Sequence, residues 1–412
     1  MQTVKDDEVK LYADFDNRQR VQSIGRQRQP GKTIPVIDFS AYTNDGSLEE
    51  RQRVARALHD TCIDTGFFYL SNHGIPEAEL DLAHDWGRLF FELPREAKAA
   101  CNYTPVGGKN PSANPDKDTD QKETYSLPRP LLLGEMEDHP GRTIGRGLWV
   151  DPALMPGFRE FLEAHLVKRI RIAQRLCRAL ALSLDLPEDY FDAAHRFPSG
   201  SLTYNYYPPV DPASAGRTQW GISPHTDYGS FSLLSQDELG GLEVRASSGA
   251  WIDLPPIPGA FVVNIADLFA RWTNGYYVSS LHRASNFNTG TRARISLPLF
   301  FNPHAATIIE CLPTCQSPAN PAKYEPVEAG PYVQTLIQQS NRIGRPGRHA
   351  AHGRRAVEAG LSAPFPNSSR DTNRRASRNS RGSSSPKQDR PYPARCRYRS
   401  SALSSASLPG CR

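Results

Sequence analysis

The chain has 412 residues, enough for one large domain or two. Only 38% are hydrophobic, low for a chain that folds along its whole length, and the deficit is local. Residues 341–412 hold 16 Lys and Arg against 3 Asp and Glu, with 13 Ser, so this segment carries about +13 while residues 1–340 carry about −8. The mildly acidic larger part gives no sign of a polyanion substrate. In chain order, residues 1–32 are polar and read as a loose leader. Ile34–Phe39 reads as a strand. Ser47-Leu-Glu-Glu50 is a capping-box pattern. It opens a helix in which Val54, Ala57, Leu58 and Cys62 share one face. Gly66 stops that helix, and Phe67–Leu70 returns as a strand. A second helix is expected from about Pro76 to Leu93. Residues 104–121 are rich in Pro, Gly, Asn, Asp and Lys, a loop that either contacts substrate or is plain surface. The longest helix is expected from about Gly157 to Leu184. Its apolar stripe is Phe161, Leu162, Leu166, Ile170, Ala173, Leu176, Cys177 and Leu180, and the Arg and Lys residues between them form a solvated face.

From about residue 200 the pattern changes to short strands: Phe231–Ser235, Gly241–Arg245, Trp251–Leu254, Phe261–Ile265, Tyr276–Leu281 and Arg294–Phe301. Turn signals separate them at Gly240-Gly241, Ser248-Gly249, Pro258-Gly259 and Asn274-Gly275. Such close spacing predicts an antiparallel sandwich or barrel. Tyr332–Gln339 reads as a last helix. The basic tail has too few large apolar residues to offset chain entropy, so disorder is expected, with a nucleic-acid arm as the functional alternative. The expected organisation is a leader at 1–32, a helix-and-strand region at 33–199, a β core at 200–340 and the tail at 341–412.

Three short segments of the β-rich region fit one metal site. His225 and Asp227 are two apart, so on a strand they project to the same side. His282 lies 57 positions after His225 and must come from another strand. Two imidazoles and one carboxylate can occupy one face of a divalent metal and leave three positions open, a set suited to Fe(II) that activates O2. Arg294 and Ser296 are again two apart and share a face.

His225-x-Asp227, His282 and Arg294-x-Ser296 resemble the signature of the 2-oxoglutarate/Fe(II)-dependent dioxygenases, with the isopenicillin N synthase-like branch the best match. Ile34-Pro-Val-Ile-Asp-Phe39, the run Gly66–Pro76 and Asn205-Tyr-Tyr-Pro-Pro209 agree, and the resemblance runs from about residue 33 to about 340. It implies a fold that is mainly β, with a distorted jelly-roll (double-stranded β-helix) core and flanking helices. It also implies Fe(II) held by His225, Asp227 and His282, and 2-oxoglutarate chelating the iron through its C1 carboxylate and keto oxygen. The far carboxylate would pair with Arg294, whose planar fork suits bidentate recognition, and with Ser296. Tyr207 would reach the same carboxylate and Asn205 would lie near the metal-bound end. O2 would take the last open position, and decarboxylation to succinate and CO2 would arm the iron to oxidise a small-molecule substrate, by hydroxylation in the default case.

Plainer readings stand beside these. Tyr206 and Tyr207 suit a strand as ordinary aromatics, Asn205 and His73 suit structural roles, and Phe300-Phe301 reads as core. Cys311-x-x-x-Cys315 has no second pair to complete a zinc site. Seven scattered Cys without framework spacing suggest reduced thiols. The start of the chain lacks the apolar stretch of a signal peptide, and no run approaches the apolar length of a membrane span. A soluble cytoplasmic protein, monomeric by default, is the expectation. An isopenicillin N synthase-type iron oxidase that does not use 2-oxoglutarate is one alternative. A non-enzymatic metal-binding scaffold whose tail docks on nucleic acid is the other.

Overall fold

The computed structural model describes residues 33–106, 120–128, 149–209, 220–285 and 292–343. The expected leader, residues 107–119 of the Pro- and Gly-rich loop, and the tail beyond residue 343 lie outside the described residues.

Twelve strands build two sheets: β1 (Val36–Asp38), β2 (Phe67–Ser71), β3 (Tyr103–Thr104), β4 (Glu123–Pro128), β5 (Ser199–Tyr207), β6 (Trp220–His225), β7 (Phe231–Gln236), β8 (Leu242–Arg245), β9 (Trp251–Leu254), β10 (Phe261–Ile265), β11 (His282–Ser285) and β12 (Arg294–Asn302). The larger sheet has the order β1-β2-β10-β7-β12-β5-β4-β3, and the smaller one β6-β11-β8-β9. Among the described residues, only the β1–β2 pairing is parallel. This is the distorted jelly roll with flanking helices that the resemblance implied.

Period-two alternation sorts each strand of the larger sheet between two cores. Phe67, Tyr69 and Val262 pack with Leu242, Val244, Ile252 and Leu254 of the smaller sheet. Phe68, Leu70, Val263, Leu297 and Leu299 point the other way, into the helical layer. That layer holds α1 (Leu48–Asp64), α2 (Glu77–Glu92) and α3 (Phe158–Ser183). Each large apolar side chain buried there contributes roughly 1.5–3 kcal/mol.

The capping box at the start of α1 is present, with Ser47 and Glu50 bonded reciprocally. The buried face of α1 is Ala55, Leu58, Thr61 and Cys62; Ala57, expected on it, is exposed. Gly66 ends the turn at φ +67°, and a Cβ there would lie 2.0 Å from the Val278 carbonyl oxygen. Gly87 lets α2 approach the larger sheet closely, since a Cβ would meet Ile295 at 2.5 Å.

Three expectations need correction. Tyr276–Leu281 is not a strand: Asn274 and Gly275 adopt left-handed backbone, and Tyr277 turns inward to donate to the Ser183 carbonyl. Just before it, α4 (Asp267–Trp272) is a short helix in which every residue is buried, Asp267 and Arg271 included. The basic residues of α3 are not all solvated, because Arg169 is fully buried. Its Nη2 donates to the carbonyls of Leu233 and Leu297, the latter at 2.9 Å. The pairing of β12 with β5 lapses at Leu297 and Pro298, where proline supplies no N–H, and Arg169 satisfies the strand from outside the ladder. Burial without a counter-charge pushes the Arg169 guanidinium down to about 9. The last helix begins at Ala329 and runs to Ile343.

Candidate active site

The β12 alternation places Ile295, Leu297, Leu299 and Phe301 in the helical core. The intervening Arg294, Ser296, Pro298 and Phe300 line a pocket between the sheets. Phe300, expected in the core, is therefore a wall of this pocket. Across β5 the register sets Tyr207 opposite Arg294 and Asn205 opposite Ser296. Both β5 side chains also line the pocket.

The smaller sheet closes the opposite side. β11 pairs with β6 so that His282 sits opposite His225, which brings the two imidazole rings to 4.2 Å. Asp227 follows just beyond the end of β6, its Oδ1 3.9 Å from His225 Nε2 and 3.8 Å from His282 Nε2. One ligand atom from each residue lies within 4.8 Å of the others. No other such group of three occurs among the described residues.

The atoms that do not face this centre are already bonded. His225 Nδ1 lies 2.8 Å from the Ser223 carbonyl and His282 Nδ1 3.2 Å from that of Ser280. A carbonyl only accepts, so each Nδ1 carries the proton and each Nε2 keeps its lone pair. Asp227 Oδ2 accepts from Ser232 Oγ at 2.6 Å and from Asn264 Nδ2 at 2.8 Å, which leaves Oδ1 for a ligand. Burial pushes His225 down to about 4 and keeps it neutral. Burial alone would raise Asp227, but the two imidazoles and the two donors outweigh it and hold the carboxyl below its usual range. Two imidazoles that present Nε2 and one carboxylate that presents Oδ1 fit a divalent iron ion.

Next to His282, Arg283 forms a two-point buried ion pair with Glu243, at 2.7 and 3.1 Å. Its guanidinium lies between Trp220, 4.4 Å away, and Trp251, 3.8 Å away. Ser285 also donates to Glu243. These contacts tie β11 to β6, β8 and β9 directly behind the metal ligand.

At the other end, Arg294 is nearly fully buried and stacks on Tyr207 with its guanidinium 4.6 Å from the ring centre. Its Nε donates to the Gly240 carbonyl and its Nη2 to Gln236 Oε1 at 3.2 Å. Its Nη1 is buried with no partner among the described residues. A dicarboxylate whose far end meets this nitrogen would complete it.

All seven residues singled out from the sequence thus line one pocket: His225, Asp227, His282, Arg294, Ser296, Asn205 and Tyr207. His73, read as structural, is buried and stacks on Phe261. Cys311 and Cys315 are free thiols. Sequence reasoning missed Ser232, Asn264, Lys122 and Arg283, which also line the pocket. Strand alternation from Leu234 and Val262 was the available signal for the first two.

A jelly roll with two histidines and a carboxylate on one face of its pocket defines a non-haem iron oxygenase. The model of the 2OG-Fe(II) oxygenase superfamily matches residues 198–303, and that of the non-haem dioxygenase in morphine synthesis N-terminal region matches residues 34–151. A 2-oxoglutarate-Fe(II) type oxidoreductase of Metarhizium rileyi is 34% identical over 326 residues, covering 74% of this chain and 86% of that protein. Homoarginine-6-hydroxylase of Oryza sativa is 32% identical, covering 73% and 95%. A full-length Neurospora crassa protein, solved in complex with alpha-KG, superposes with a TM-score of 0.66 at 29% identity, covering 75% of this chain and 98% of that one. The same protein has also been solved with alpha-KG and thymine together. The chain belongs to the 2OG-Fe(II) oxygenase superfamily. It is a 2-oxoglutarate-dependent dioxygenase, with iron as cofactor and O2 as co-substrate. No helix among the described residues is long and apolar enough to cross a membrane.

Proposed function

We propose that this enzyme hydroxylates a small organic molecule, with residues 200–340 forming the iron and 2-oxoglutarate core and the protein acting as a monomer in the cytoplasm. His225 Nε2, Asp227 Oδ1 and His282 Nε2 hold Fe(II). Arg294 and Ser296 receive the far carboxylate of 2-oxoglutarate, with Tyr207 beside it and Asn205 nearer the metal. The bound iron supplies the oxidation: one oxygen atom of O2 goes into succinate, formed with CO2 from 2-oxoglutarate, and the other into a substrate C–H bond. The protein's own residues position and shield. The Ser223 and Ser280 carbonyls orient the imidazoles, Ser232 and Asn264 hold the free carboxylate oxygen, and Phe67 and Phe300 keep the pocket apolar. The observation that carries the reading is the buried Arg294 Nη1, without a partner among the described residues, in the same pocket as the triad.

The test is anaerobic titration with Fe(II), with and without 2-oxoglutarate, read by visible absorption. A weak metal-to-ligand charge-transfer band that needs both components is the expected result. Iron binding without the band would favour an oxidase that uses no 2-oxoglutarate, and no iron binding would sink the reading.

A further inference from the structure

Besides Arg294 and the Glu243-paired Arg283, the pocket wall holds a third cationic residue, Lys122. Lys122 immediately precedes β4 and lines the pocket beside Asn205, Tyr207 and His225. The two residues before it are fastened to β6. Gln121 N donates to the Trp220 carbonyl at 3.0 Å, and Asp120 Oδ1 accepts from both Ser223 N and Ser223 Oγ at 2.9 Å. Ser223 is also the residue whose carbonyl orients His225, so the segment that carries Lys122 is fastened to the metal-ligand strand.

No carboxylate of the described pocket neutralises this lysine. The adjacent Glu123 accepts from Lys98 at 3.0 Å and from Tyr103 at 2.6 Å, away from the pocket. Glu243 is engaged with Arg283. Asp227 is the only acidic residue of the described lining, and it belongs to the metal. Among the described residues the Lys122 side chain has no hydrogen bond or ion pair; the residue is half-buried, and the wall of the same pocket includes Ile222, Leu242 and Phe300. A half-buried lysine in a pocket wall without a counter-charge is stabilised by an anion that enters with the ligand. The dicarboxylate of 2-oxoglutarate is already matched by iron at one end and Arg294 at the other.

We propose that Lys122 anchors a carboxylate on the organic substrate, so that the enzyme selects small organic acids over neutral molecules of the same shape. A single flexible ammonium matches a monoanion and sets no fixed orientation, unlike the planar fork of Arg294. The inference rests on the oxygenase reading above, and the two can fail separately. The charge-transfer band tests the oxygenase reading, and the discrimination described next tests Lys122.

The Fe(II)–2-oxoglutarate complex of the full chain, kept anaerobic, is titrated with straight-chain alkanoic acids from acetate to decanoate and with phenylacetate. Each acid is paired with its primary amide, and binding is read from tryptophan fluorescence. At least one acid is expected to bind about tenfold or more tightly than its amide. Lys122→Met is expected to remove that preference, and Lys122→Arg to keep most of it. The proposal is overturned if no acid is preferred over its amide, or if the preference survives in Lys122→Met. It is also overturned if Lys122→Met weakens 2-oxoglutarate instead, which would assign the amine to the co-substrate.

Discussion

At the metal end of the pocket, Asp227 Oδ2 accepts two hydrogen bonds, both Nδ1 atoms lie against carbonyls, and Arg283 is locked against Glu243. At the other end, Arg294 Nη1 is buried with no partner among the described residues. The first arrangement presents only the three atoms that would face an ion. The second presents donors that a ligand must complete. The difference matches residence time. A metal that stays through many turnovers gains from ligands fixed beforehand. A co-substrate consumed at every turnover needs a site whose donors are satisfied by it and by nothing in the protein.

The comparison breaks most sharply at Asp227. Asp227→Ala removes the carboxylate that completes the metal face and strands two donors, Ser232 and Asn264. Turnover should disappear together with stoichiometric iron binding, measured by metal analysis after dialysis. A variant with near-normal turnover would refute the assignment. Arg294→Lys acts on the opposite end. A point charge cannot reproduce the planar fork, so the apparent KM for 2-oxoglutarate should rise by about tenfold or more while iron affinity holds. An unchanged KM would show that another residue receives the far carboxylate.

How much of this was legible follows from which physical signals are local. His225 and Asp227, and Arg294 and Ser296, could be read from their i, i+2 spacing, and His282 joined them through the resemblance of the whole set to a family signature. The capping box of α1 is equally local. Arg169 was misread because helix periodicity counts every arginine as polar. The need for its charge arises 128 residues away, at the Leu297 carbonyl next to Pro298. The α4 helix escaped because it is only six residues long and its charged residues, Asp267 and Arg271, are buried with the rest. Tyr276–Leu281 has strand composition, but the left-handed pair before it sends Tyr277 into the helical layer. Lys122 depends on the register of β4 against β5, which no spacing within either segment states.

A finer test separates the ligand from its support. Asn264→Ala leaves all three ligand residues in place and removes one donor to Asp227 Oδ2. Loss of an outer partner of a metal ligand costs on the order of 10-fold in metal affinity. Iron titration should show that loss, with the KM for 2-oxoglutarate changed much less than in Arg294→Lys. Equal losses in both quantities would mean that the two ends are not independent.

The smallest effect tests whether a committed carboxylate behaves alike outside the pocket. Glu79 on α2 accepts from His165 at 3.0 Å and from Lys168 on α3. The His165 hydrogen bond, reinforced by Lys168, lowers its carboxyl from 4.5 to about 2. The folded state therefore binds this proton less readily than the unfolded chain. Its contribution to stability is complete above about pH 4.5 and is lost as the pH falls toward about 2. After solvent screening it is on the order of 1 kcal/mol. Thermal unfolding of Glu79→Gln should accordingly show a lower Tm than the parent at pH 6, and the gap should narrow as the pH drops below 4.5. A gap that stays constant across that window would mean that Glu79 stabilises the α2–α3 contact by packing and neutral hydrogen bonding, not by its charge.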